Sequence, residues 1–150
     1  MGNSFENLVR IGELKEEEPR ADELEGLRLS SISRLVDAER VDLSFESRFD
    51  LAYNAAHSLA LLALRKKGYR PKTRYIVFQL LPETAGLEAK LWRVMAKAHE
   101  LRNRSEGVPR PECRSAGVTK RIAMWRCSVL HQMSRTALTD RAFRQNGSGV

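Results

Sequence analysis

The sequence predicts an all-α protein, and two observations lead to this fold class. Apolar residues recur at intervals of three and four along several segments, which is the period of an α-helix and not the alternation of a half-buried strand. Of the 150 residues, 42% are hydrophobic and 30% charged, and only 9 glycines and 5 prolines interrupt them, as in a folded helical protein. A chain of this length can bury a substantial core, so we expect one helical domain.

Residues 1–20 are predicted to form an N-terminal arm. Their apolar positions come early, and an acidic run and Pro19 close the segment. We expect a short helical turn or an arm that packs against the body of the protein. The apolar positions are Phe5, Leu8, Val9 and Ile11.

The first longer helix is expected directly after Pro19, in "ADELEGLRLSSISRLVDAERV". One apolar stripe at helical spacing supports it. Gly26 and the serine-rich middle weaken its intrinsic propensity, because both residue types favour other backbone conformations. The stripe consists of Leu24, Leu27, Ile32, Leu35 and Val36.

The strongest helical pattern covers residues 44–67. Ser44 suits the N-cap position, and Gly68 offers a left-handed stop before Pro71. Three basic residues in the last turn complement the negative end of the helix dipole. The expected core stripe is Phe45, Phe49, Ala52, Tyr53, Ala56, Leu59, Ala60 and Ala63.

Two further helices are expected before residue 107. The short apolar run "RYIVFQLLPETAGLE" would also suit a strand, but it has no obvious partner strand and lies between helical segments. A long helix should then begin at about Thr84 or Leu87 and end near Arg104, before Gly107 and two prolines. Its stripe is Leu87, Leu91, Val94, Met95, Ala98 and Leu101.

Residues 107–150 are predicted to form a basic C-terminal extension, which can be drawn as a helix over 117–133. Residues 1–100 hold 16 basic and 16 acidic side chains, whereas residues 101–150 hold 10 basic and 3 acidic ones and so carry the whole net charge of +7. Such a segment binds polyanions through counterion release. A solvated tail without a dedicated partner explains the same composition.

Several classes of protein are not expected. No run approaches the roughly 20 apolar residues of a membrane span, so we expect no membrane-spanning segment. The N-terminus lacks the pattern of a secretory leader, and we therefore expect a cytoplasmic protein that does not bind a membrane. Cys113 and Cys127 have no metal-site spacing, and the three histidines lie far apart in sequence. We therefore expect no metal and no cofactor.

A polar line lies beside the core stripe of the helix over 44–67. Asp50, Asn54 and His57 stand at positions i, i+4 and i+7 and share one face. They are a carboxylate, an amide and an imidazole, which are groups that orient or transfer protons. An ordinary solvent-facing row explains them equally well.

A second polar group ends the long helix before Gly107. His99, Arg102 and Glu106 share a face by their spacing, and Asn103 lies beside them. If the two long helices pack antiparallel, Arg102 can approach Asp50. Otherwise these residues are favourable cations at a helix C-terminus.

The blocks "SRFDLAYNAAHSLALLALRKKGYRP", "YIVFQLLPETAGLE" and "AHELRNRSE", in that order, resemble the HEPN superfamily. The likeness is to small stand-alone bacterial members with the pattern R-F-D-x-A-Y-N-A, then G-Y-R and a late R-N, and it covers about residues 4–106. The resemblance implies an antiparallel bundle of four to five helices over 21–106. It also implies a homodimer, and many members of the family are metal-independent ribonucleases.

By this resemblance Arg102 and Asn103 match the catalytic motif of active members. The arginine would hold the scissile phosphate, the asparagine would orient it, and a following histidine would promote attack by the 2′-hydroxyl. Asp50, Asn54 and His57 form the supporting polar line. Here Gly107 stands where the histidine or an aromatic residue is expected, and no histidine follows until His131.

Two functions therefore stay open. The missing histidine favours a non-catalytic or degenerate module for dimerisation or protein interaction. The alternative is a metal-independent RNA-binding protein or endoribonuclease of the toxin–antitoxin or defence type. The expected partners are a second copy, RNA bound through the polar line or the basic C-terminal third, and a protein encoded nearby.

Overall fold

The computed structural model describes residues 4–86 and 89–105, most of which are helical. The expected extension over 107–150, with its helix at 117–133, lies outside these residues. In the described part the elements are α1 (Ser4–Arg10), β1 (Leu14–Glu16), α2 (Ala21–Ala38), α3 (Phe45–Lys66), β2 (Tyr69–Pro71), α4 (Arg74–Gln79), α5 (Leu81–Ala85) and α6 (Ala89–Ser105).

Helix α3 is the centre of the structure. The Ser44 hydroxyl accepts a hydrogen bond from the Ser47 backbone amide, with 3.1 Å between the nitrogen and the oxygen. Gly68 follows the helix with φ of +86°, a value that glycine adopts without strain. These two residues confirm the expected start and end of the helix. Side chains are buried on most of its faces, so α3 packs against neighbours on several sides.

Helix α2 packs antiparallel to α3. Glu23 contacts Arg65 near one end of the pair, and Arg34 contacts Ser58 further along. The predicted stripe of α2 was wrong in part, because Ile32 is 40% exposed and Val36 62%.

The face of α2 that meets α3 instead includes Ser31 and Ala38, which are both buried. The Ser31 hydroxyl donates to the Leu27 carbonyl over 2.6 Å. A serine satisfied in this way lets two helices approach closely without leaving a buried polar group unpaired. Apolar spacing alone does not indicate this choice of face.

The N-terminal arm contains a strand that the sequence did not predict. β1 pairs antiparallel with β2, with Leu14 opposite Pro71 and Glu16 opposite Tyr69. The Phe5 ring of α1 stacks on Tyr69 at a centroid distance of 4.9 Å. Each strand has three residues, which is too short to show a period of two.

The remaining helices close the core beside α3. The apolar run that also suited a strand is helical, as expected, but it forms two short helices, α4 and α5, where one was predicted. Helix α4 buries Ile76, Val77 and Phe78.

The predicted start of the last long helix at Thr84 was wrong, because Thr84 lies in α5, which ends before Gly86. The alternative start at Leu87 lies outside the described residues, and α6 is described from Ala89. Helix α6 contributes Met95 and Ala98 to the core. The core also contains Ala52, Tyr53, Ala56, Leu59, Ala60, Leu64, Phe78 and Leu81.

No helix in the described part of the chain combines the length and the apolar character needed to cross a membrane.

Candidate functional site

The polar line of α3 runs from solvent into the interior. The Asp50 side chain is 59% exposed. One turn later, the Asn54 amide donates to the Asp50 carbonyl over 2.8 Å, and its oxygen accepts from Arg74 of α4 over 3.3 Å. His57 lies deeper, with its ring edge-on to Phe78. The line thus leads from an exposed carboxylate to a partly buried imidazole.

Helix α6 brings Arg102 to the open end of this line. Its Nε lies 3.7 Å from the Asp50 Oδ1, and its guanidinium carbon lies 5.1 Å from the centroid of the Tyr53 ring. Asp50 and Tyr53 are three residues apart on α3 and therefore share a face. An exposed carboxylate and a buried ring together position the cation.

His99 lies one turn before Asn103 on α6 and connects it to α3. The Asn103 amide nitrogen lies 3.0 Å from His99 Nε2, and the Tyr53 hydroxyl lies 2.7 Å from Nδ1. With the amide donating to Nε2, a neutral ring carries its proton on Nδ1 and donates it to the Tyr53 oxygen. Tyr53 and Asn103 thereby fix the orientation of the imidazole.

Arginines from three helices surround the polar line: Arg34 of α2, Arg74 of α4 and Arg102 of α6. Burial, and then the positive charge of Arg74, His99, Arg102 and Arg34, lowers the pKa of His57 to about 4. We call this group of three arginines with Asp50, Asn54, His57 and His99 the cationic cleft.

The pKa of His99 is also lowered. Burial is the main cause, the charges of Arg102 and Arg74 act in the same direction, and Glu100 opposes them. Both histidines are therefore uncharged at neutral pH, and the positive charge of the cleft comes from its arginines. A neutral imidazole can accept a proton, and guanidinium groups bind phosphate oxygens.

The structure brings together some of the predicted site residues and separates others. Asp50 lies beside Arg102, as the antiparallel hypothesis requires. Asn103 contacts His99 and not the polar line. In the described part of the chain, His57 Nε2 is buried without a hydrogen-bond partner.

Three residues of the site were not predicted. Tyr53 was assigned to the core alone, although its hydroxyl holds His99. Arg34 and Arg74 had no signal in the sequence, because each approaches the polar line only through the packing of α2 and α4 on α3. A pattern along one helix does not report such contacts.

Among residues 4–86 and 89–105, no three His, Cys, Asp or Glu side chains lie close enough together to hold a metal ion. Comparisons with protein families, with characterised proteins and with solved structures find no match to this chain.

Proposed function

We propose that this protein is a HEPN-like helical module that binds RNA, with a backbone phosphate held in the cationic cleft. The observation that carries the proposal is that three arginines from three different helices lie around the polar line of α3. Arg74 bonds to Asn54 and Arg102 lies beside Asp50. Arg34 bonds to Ser58, the residue that follows His57. The resemblance to HEPN proteins supplies the expectation of RNA as the polyanion.

The charges of the cleft suit a phosphate. The group contains three guanidinium groups and one carboxylate, and the two histidines add no charge at neutral pH. The ion pair of Arg102 with Asp50 is long, at 3.7 Å, and the carboxylate is 59% exposed. A pair with this geometry contributes little to stability, so a phosphate can compete for the guanidinium.

Binding to a labelled single-stranded RNA tests this proposal. Arg102→Ala should weaken the affinity and lower the slope of log Kd against log salt by about 1, because one phosphate contact is lost. Arg20→Ala is the matched control. Arg20 pairs with Asp22 near the Glu23 to Arg65 contact, which is about 16 Å along α3 from Asn54. Equal effects of the two substitutions would contradict the cleft.

A second candidate is metal-independent RNA cleavage, and the geometry of His99 favours it. The motif histidine expected after Asn103 is replaced by Gly107, but α6 places a neutral imidazole in contact with Asn103 and one turn from Arg102. His99 Nε2 carries the lone pair of the neutral ring, so it can accept the proton of a 2′-hydroxyl once the ligand displaces the Asn103 amide, while Arg102 stabilises the developing charge.

Incubation of the purified protein with RNA in EDTA decides between binding alone and cleavage. If the protein cleaves, His99→Ala should slow the reaction by roughly 100- to 10,000-fold, the usual contribution of a general base. RNA that stays intact with the wild-type protein would favour the non-catalytic module. The homodimer implied by the resemblance stays a prediction, which light scattering after gel filtration can check.

A further inference from the structure

Tyr75 presents an aromatic ring to solvent at the edge of the cationic cleft. Its exposed fraction is 39%, whereas Ile76, Val77 and Phe78, which follow it in α4, are at most 5% exposed. Helix α4 therefore buries its other large apolar side chains and leaves Tyr75 exposed. Of the other tyrosines, Tyr53 is fully buried, and Tyr69 stacks on Phe5.

The ring is continuous with the residues of the cleft. Its centroid lies 5.9 Å from that of His99, with an interplanar angle of 46°. The residue before it in the chain, Arg74, reaches Asn54. A ligand that contacts Arg74 and His99 is therefore also within reach of Tyr75.

We propose that Tyr75 stacks against a nucleobase of a single-stranded RNA whose phosphate occupies the cationic cleft. The inference rests on the proposed function and adds to it the class of nucleic acid. An exposed tyrosine face beside arginines is the arrangement by which proteins hold unpaired nucleotides, with charge on the backbone and stacking on the base.

The same arrangement selects against duplex RNA. In a duplex each base is already stacked between its neighbours, and its face is not accessible to a side chain. The arginines of the cleft can still attract duplex phosphates. Tyr75 should therefore affect the affinity for single strands and leave the affinity for duplex RNA and for phosphate polymers unchanged.

The experiment uses the full chain and fluorescence anisotropy. The ligands are a labelled single-stranded RNA of about 10 nucleotides, the same RNA annealed to its complement, and inorganic polyphosphate as a competitor that has no bases. Tyr75→Ala should weaken single-strand binding roughly 5- to 100-fold, the effect of losing one stacked base. Tyr75→Phe should retain wild-type affinity, because the ring remains.

The outcomes separate this inference from the proposed function. If Tyr75→Ala changes none of the three affinities while the wild-type protein binds RNA, the stacking role is wrong and the phosphate site stands. An equal loss for RNA and polyphosphate would also overturn it, because the residue would then support the cleft and not a base. If the wild-type protein binds neither RNA nor polyphosphate, both proposals fall. Circular dichroism verifies that each variant remains folded.

Discussion

His57 belongs to the polar line, and the burial of its imidazole should lower the stability of the fold. It lies on the polar line of α3, but its ring packs against Phe78 and its Nε2 is buried without a hydrogen bond in the described part of the chain. Burial and the nearby arginines hold its pKa at about 4. His57 therefore stays neutral at pH 7 although three arginines lie nearby.

The low pKa of His57 predicts a loss of stability in mild acid. The unfolded chain takes up a proton below about pH 6.5 while folded His57 does not, so stability falls as the pH decreases from 6.5 toward 4. The loss at pH 5 should be about 2 kcal/mol. Urea unfolding at pH 7 and pH 5 measures it.

His57→Leu is the variant that isolates this effect. It should reduce the difference in unfolding free energy between the two pH values, and His99 should account for part of what remains, since its pKa is lowered too. The same pH dependence in the variant and the wild-type protein would show that His57 is not the source.

At the scale of elements, Arg65 joins three segments that are distant in the sequence. It is 1% exposed and lies at the end of α3. Its guanidinium donates to the Glu23 carboxylate of α2 and to the carbonyls of Glu17 and Glu18, which follow β1. One buried cation thus ties the arm, α2 and α3 together.

Arg65→Ala should therefore destabilise the protein by about 2–5 kcal/mol, because it removes a fully buried side chain together with its hydrogen bonds to the half-buried Glu23 carboxylate and to two carbonyls. Arg28→Ala is the control. Arg28 pairs with Glu25 within α2, and both side chains are about one-third exposed, so its removal should cost less than about 1 kcal/mol. Chemical denaturation compares them, and similar costs would refute the role given to Arg65.

The ion pair between Arg65 and Glu23 also depends on the ionisation of the Glu23 carboxyl. The hydrogen bond from Arg65 is the main reason that the pKa of this carboxyl lies below its usual value, and the charges of Arg65 and Arg70 add to it. The contribution is therefore fully present above about pH 4.5 and is lost as the pH falls through the lowered pKa.

On the scale of the whole molecule, the N-terminal arm is part of the folded core. Leu14 is 4% exposed, and Phe5, Leu8 and Val9 pack against the same cluster of buried residues. The antiparallel pairing of β1 with β2 fixes the arm beside the end of α3. The arm thus completes the core around α3.

Leu14→Ala tests this placement and should destabilise the protein by about 2–5 kcal/mol, the usual cost of truncating a buried leucine. Ile11→Ala changes the same arm at a side chain that is 63% exposed and should cost about 0.5 kcal/mol or less. Thermal unfolding of the two variants distinguishes a core residue from a surface residue. Equal shifts in Tm would contradict the packing described for Leu14.

The sequence by itself determined the helical class and the bounds of α3. The repeat of apolar residues, the N-cap serine and the glycine with positive φ each act on residues close to them in the sequence, so the sequence itself reports their effects. The helical form of the apolar run over 74–85 was also correctly predicted.

Only the tertiary structure decided which face of α2 is buried, how the arm pairs with β2, and which cations surround the polar line. Each of these depends on contacts between residues far apart in the chain, as when Arg34, Arg74 and Arg102 approach α3 from three helices. A periodic pattern specifies that a helix has an apolar face but not which neighbour covers it. The cleft and its charge therefore follow from packing.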